Sequence, residues 1–214
     1  MRHQGSPFTL AVALVAAASS CDASGLTRPA SQAEREAAGL DDPDTVVLVQ
    51  SHRPGEGGTR APAIGFDYQT RIGTAFVGRS SGYAWTGEPP SVACTSGTTE
   101  IFASATLDLP DGAQIRYVDT FGFDSDGSND LRTFLVSLCQ GTYEAGEPVY
   151  VLHGDVQSSG SPGNFVSIID LDADPLPVSR GSCKYIVRAR FAALEQCVGG
   201  SIFLDKMRVG YTTP

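Results

Sequence analysis

The stretch IFASATLDLPDGAQIRYVDTFGF, residues 101–123, decides the fold. Its first half alternates: Ala103, Ala105, Leu107 and Leu109 fall on one face, against Ser104, Thr106 and Asp108 on the other. That period of two marks a half-buried strand. Pro110-Asp111-Gly112 interrupts it as a turn, because proline fixes φ and glycine accepts a positive φ. The second half puts Ile115, Tyr117, Phe121 and Phe123 together, with Asp119 breaking the apolar series. Two alternating runs around a tight turn are a β-hairpin signal.

The same pattern continues toward the C-terminus. In Lys184 to Phe191, Tyr185, Val187, Ala189 and Phe191 share one face, and Lys184, Arg188 and Arg190 the other. Arg132 to Leu138, Val149 to Gln157, Phe165 to Asp170 and Ser201 to Tyr211 read as further strands. Regular short strands without an amphipathic helix predict an all-β domain over residues 64–214, an antiparallel β-sandwich or jelly roll.

Upstream, the composition changes. Residues 21–63 read as a largely disordered tether, with PGEGGTRAP (54–62) its most flexible part. Within it, Pro29 to Gly39 has the composition of a short helix and Thr45 to Gln50 that of a strand. Residues 1–20 are a signal segment: a positive start at Arg2, an apolar run from Leu10 to Ala18, then small residues. The run is too short to span a membrane.

Five cysteines are present, an odd number. Setting Cys21 aside leaves Cys94, Cys139, Cys183 and Cys197, an even set in an exported chain, which predicts two disulfides. If strands alternate up and down from Ile101, Cys139 and Cys183 meet at one end and Cys94 and Cys197 at the other. Bridged Cα atoms lie within about 7 Å, so cysteines at opposite ends cannot join. The pairing Cys139–Cys183 and Cys94–Cys197 follows; a short Cys183–Cys197 loop is the alternative. No CxxC or Cys/His spacing supports zinc.

The run AASSC, Ala17 to Cys21, resembles a bacterial lipoprotein signal. That resemblance implies a diacylglycerol on the Cys21 sulfur, cleavage before it, and a membrane reached through the lipid. It departs from the family in carrying Ala18 where leucine is usual. Ordinary cleavage and a soluble secreted protein are the alternative. The stretch ATLDLPDGAQIRYVDTFGFDSDGSNDL (105–131), with FLVSL (134–138) and KYIVRARF (184–191), resembles a loose group of uncharacterised exported bacterial β-sandwich proteins. This resemblance supports the fold and implies no activity.

Charge excludes some partners. Fifteen basic against 24 acidic residues give a formal −9, which repels nucleic acid and anionic headgroups. Asp124, Asp126, Asn129 and Asp130 offer hard oxygens that suit calcium. An EF-hand would need glycine at its sixth position, whereas Gly127 is fourth, and the twelfth residue is Leu135. Calcium wants about 6–8 oxygens, so the first reading of this loop is side chains capping backbone amides. Calcium is the second, and no other cofactor is expected. Asp170, Asp172 and Asp174 read as a solvated loop.

Catalytic candidates are thin. Gly78 to Gly82 matches GxSxG, but no helix follows, as a nucleophile elbow requires. His153 and Asp155 share a strand face without a nucleophile. Tyr68, Phe76, Tyr83 and Trp85 are core aromatics or, if exposed, sugar-stacking platforms. The first functional reading is a non-catalytic extracytoplasmic lipoprotein, periplasmic or at the cell surface, acting as a binding or structural module for a protein or glycan. A carbohydrate-binding or calcium-stabilised adhesion module is the alternative, and a hydrolase the third. An exposed aromatic strip on one sheet would favour the alternative.

Overall fold

The computed structural model describes residues 27–38, 46–50, 66–78, 85–86, 91–97, 101–140, 148–192, 197 and 199–214. Two facing sheets make up a β-sandwich. In the first, hydrogen-bonded neighbours run in the order β1 (Thr27–Pro29), β2 (Val46–Gln50), β10 (Pro148–Gln157), β9 (Arg132–Gln140), β13 (Cys183–Arg190), β7 (Phe102–Leu107) and β4 (Val77–Gly78). In the second they run β11 (Gly163–Asp170), β8 (Gln114–Asp124), β14 (Ile202–Thr212) and β3 (Asp67–Ile72), with β12 (Leu176–Pro177) also on β8. A small ribbon pairs β5 (Trp85–Thr86) with β6 (Ala93–Cys94). These pairings are antiparallel, apart from β2 with β10, which is parallel.

Alternation places the core. Ala103, Ala105 and Leu107 of β7 and Tyr185, Val187 and Ala189 of β13 are buried between the sheets, as their period of two requires. From the second sheet, Ile115, Val118, Leu204, Met207 and Val209 meet them. A smaller cluster of Phe134, Val136 and Leu152 lies on the far side of the first sheet, with Ala30 and Tyr150 packed against it.

The 110–113 turn forms as its composition requires. The Ala113 amide donates to the Pro110 carbonyl at 3.2 Å, and Gly112 adopts φ 76°. A side chain at Gly112 would be strained there.

Inside the stretch read as tether, α1 (Gln32–Ala38) and β2 form, and β1 pairs with β2. The first sheet therefore includes strands from upstream of residue 64. Ser31, not Pro29, opens the helix, and the reason is a capping box. The Glu34 amide donates to Ser31 Oγ at 3.3 Å, and Glu34 Oε2 accepts from the Ser31 amide at 2.8 Å. β2 is held by the open edge of β10, whose unpaired backbone groups accept another strand. Residues 1–26 and 51–65 lie outside the described residues, and with them the signal segment and Cys21.

Two disulfides tie the sandwich. Cys139 and Cys183 face each other in the β9–β13 register and are bridged, with Cα atoms 4.0 Å apart. Cys94 and Cys197 are bridged at 5.9 Å. The Cys183–Cys197 alternative is not formed.

Candidate functional site

Strand β8 does not present the face its sequence suggests. Val118, Thr120 and Asp124 point between the sheets, where Thr120 Oγ1 lies 2.9 Å from Thr133 Oγ1 of β9. Tyr117, Asp119, Phe121 and Phe123 therefore occupy the outer face. Ile115 does not join them, because the β8–β14 register shifts between Gly210 and Tyr211 and skips Arg116. This bulge reverses the parity of the strand. The grouping of Ile115 with Tyr117, Phe121 and Phe123 is corrected accordingly.

The neighbouring strands complete the outer face. Register sets Phe203 beside Phe123, Lys206 beside Phe121 and Arg208 beside Asp119. On the other flank, Asn164 lies beside Phe123 and Val166 beside Phe121. Ile72, 44% exposed, lies opposite Lys206 at the β3 edge. Phe121, Phe123 and Phe203 are half-buried and form one aromatic strip, with the Phe123 and Phe203 centroids 6.3 Å apart.

Asp119, which looks like a flaw in the strand pattern, is a structural anchor. It is 1% exposed and accepts from Arg208 Nε at 2.9 Å and Nη2 at 2.5 Å. The guanidinium in turn lies 5.2 Å from the Tyr68 ring and 5.4 Å from Phe121. Lys206 Nζ lies 4.6 Å from the Phe121 centroid. Such contacts hold cations over ring faces. Beyond Arg208, Tyr117 lies against Gly210, where a Cβ would come within 2.4 Å of its ring. Burial, and then the neighbouring Tyr68, push the Tyr117 hydroxyl well above the ordinary tyrosine range.

At the Phe123 end the face opens into a shallow depression of about 370 Å³ lined by Ser91, Phe123, Asn164, Phe203 and Asp205. A second bulge shapes it: the register shifts between Leu204 and Lys206, so Asp205 is the inserted residue. Asp205 Oδ1 accepts from Ser91 Oγ at 2.5 Å.

The acidic loop is occupied by its own backbone. Asp126 Oδ1 accepts from the amides of Ser128 at 2.8 Å and Asn129 at 3.0 Å. Those bonds, the Ser128 amide foremost, hold the Asp126 carboxyl below its usual range. Asp124 Oδ1 accepts the Asp126 amide at 2.9 Å, and its Oδ2 takes the Ser158 hydroxyl. Asn129 Nδ2 donates to Asp126. Burial and the neighbouring Asp124 push the Asp130 carboxyl up, against the Gly160 amide that lowers it. Among the described residues no three His, Cys, Asp or Glu side chains gather into a metal-holding group. Asp170 Oδ1 likewise caps the Asp172 amide at 2.9 Å.

His153 and Asp155 do not share a face. The β10 register shifts between Leu152 and Gly154, leaving His153 at the bulge. His153 is 4% exposed, with Nε2 2.8 Å from Ser137 Oγ, itself 2% exposed. Asp155 pairs with Arg132 Nε at 2.6 Å, and Arg132 lies over Phe134 on the far side of the sheet. A pair closed between the sheets reaches no substrate. Residues 79–82 of the GxSxG run, and Tyr83 after it, lie outside the described residues. Phe76 is core, and Tyr68 belongs to the outer face. Sequence reasoning missed Phe121, Phe123 and Phe203 as site candidates, because aromatics in an alternating strand read as core.

The architecture is an antiparallel β-sandwich, and its two disulfides are those of a protein matured in an oxidising compartment outside the cytoplasm. No protein-family model matches the chain. No curated protein matches it. Solved structures similar to it include a xylan-binding CBM22 domain from Paenibacillus barcinonensis, at 12% identity and TM-score 0.46, covering 72% of this chain and 99% of that one. A CBM36 domain of a xylanase from the hindgut metagenome of Trinervitermes trinervoides superposes at 16% identity and TM-score 0.40, covering 67% and 97%. A CBM36 module in complex with calcium and xylotriose gives 10% identity and TM-score 0.38, covering 67% and 99%. At these scores the similarities establish no common family and carry nothing about what this chain binds.

Proposed function

We propose that this domain is a non-catalytic glycan-binding module that works outside the cytoplasm, with the outer face of the β11–β8–β14–β3 sheet as its binding surface. The observation that carries the reading is the strip of Phe121, Phe123 and Phe203 on that face. Sugar rings present C–H faces that pack on aromatic rings, while their hydroxyls need donors and acceptors at the edge. Ser91, Asn164 and Asp205 supply such groups beside Phe123 and Phe203. Lys206 and Arg208 already rest on the Phe121 ring, so Phe123 and Phe203 are the rings that would take a sugar.

Affinity electrophoresis of the full chain in gels containing neutral plant and microbial polysaccharides tests this. At least one polysaccharide should retard the wild-type protein. Phe123→Ala and Phe203→Ala should each weaken binding roughly tenfold, a ring contact being worth about 0.5–1.5 kcal/mol beyond its area. Retardation by none, or retardation unchanged in both variants, overturns the proposal.

We also propose that Cys21 bears the lipid and so holds the module at a membrane. The AASSC run supports this, as does the cysteine count: four cysteines are bridged, leaving Cys21 over.

A further inference from the structure

We propose that the depression at the Phe123–Phe203 end selects an uncharged sugar, through the Asp205 carboxylate and the Asn164 amide, and discriminates against uronate or sulfated residues; this rests on the glycan reading above. The bulge in β14 inserts Asp205, which would otherwise fall into the in-and-out alternation between Leu204 and Lys206. The extra residue lines the depression beside Phe203 and, with Ser91 on Oδ1, has its carboxylate fixed there. Among the described residues no side chain donates to Oδ2. Asn164 lies exposed beside Phe123 on the adjoining strand.

These groups have a definite preference. A carboxylate only accepts, whereas an amide both donates and accepts. Sugar hydroxyls do both, so neighbouring hydroxyls of one ring can donate to Asp205 and bond Asn164 while the ring packs on Phe123 or Phe203. Hydrogen bonds to an ionised acceptor are the stronger kind. A uronate or sulfate in the same place would face Asp205 as a like charge at short range.

The cations that could reverse this preference are engaged elsewhere on the face. Arg208 is paired with Asp119. Lys206 lies over Phe121, one outer-face position further along the sheet, about 7 Å by strand geometry. An acidic ring seated on Phe123 and Phe203 therefore meets Asp205 before it meets Lys206.

The test is calorimetric titration of the full chain with xylohexaose and cellohexaose as neutral probes and hexagalacturonate as the acidic probe. Wild type should bind a neutral probe at least tenfold more tightly than the uronate. Asp205→Asn keeps the Ser91 contact and removes the charge; it should weaken the neutral probe about tenfold and narrow the gap to the uronate. Asn164→Ala, at an exposed position, should weaken the neutral probe without affecting folding. Uronate binding as tight as neutral binding overturns the inference, as does neutral binding unchanged in Asp205→Asn. If Phe123→Ala still weakens binding about tenfold in either case, the glycan reading survives. If neither kind of probe binds wild type, the inference falls, and the electrophoresis above decides the glycan reading separately.

Discussion

At the residue scale, the acidic loop shows how position within a few ångströms separates chemically similar groups. Asp126 is stabilised as an anion by the amides it caps, whereas Asp130 is penalised by burial and by Asp124. A raised carboxyl means that the ionised form costs stability in the folded state. The cost is present above the folded-state pKa and vanishes once pH falls below the ordinary carboxylate range, where both states are protonated. Asp130→Asn should therefore raise the melting temperature at pH 7 by about 1–2 °C, half of what 1 kcal/mol produces in domains of roughly 150–250 residues. The gain should disappear near pH 3. Thermal melts at both pH values check this, and a gain that persists at pH 3 would show that charge is not its origin. The oxygen types of this loop were legible in the sequence. Which of them were already taken by backbone amides was not, because that depends on the loop's local turns.

At the element scale, three bulges account for most of the differences between pattern and structure. They lie at Arg116 in β8, Asp205 in β14 and His153 in β10. Each inserts one residue and so exchanges the faces of everything beyond it. Ile115 falls into the core while Tyr117 turns outward, and His153 separates from Asp155. β13 and β7 have no such shift, and their alternation held throughout. The bridges belong to this scale too, since each fixes how two elements meet. Cys94–Cys197 closes 103 residues and Cys139–Cys183 closes 44. In the chain-entropy model the longer loop stabilises more, and a bridge of this kind contributes about 2–4 kcal/mol. Urea unfolding of Cys94→Ser/Cys197→Ser should show the larger loss of the two double variants. The reverse order would mean that native packing at β9–β13, not loop entropy, sets the contribution.

At the scale of the whole molecule, the proposed lipid anchor is tested apart from the proposed binding face. If Cys21 carries a diacylglycerol, Cys21→Ser should abolish metabolic labelling with a fatty acid and move the protein from the membrane to the soluble fraction; continued labelling would refute the lipid assignment. The β-class, the strand positions in the 101–191 region and the even set of four cysteines were determined by sequence alone. They rest on local properties: side-chain period and residue count. The tertiary structure decided which face of each strand is inside, since parity depends on bulges whose position is set by pairing with a neighbouring strand. It also decided that the N-terminal segment adds strands to a sheet, because an isolated five-residue strand gains its hydrogen bonds only from the edge it meets. The aromatic strip is a product of the same cause. Phe121, Phe123 and Phe203 come from strands about eighty residues apart, and only the β8–β14 register, fixed by burying Val118, Leu204 and Met207 on the opposite side, sets them together on the outside.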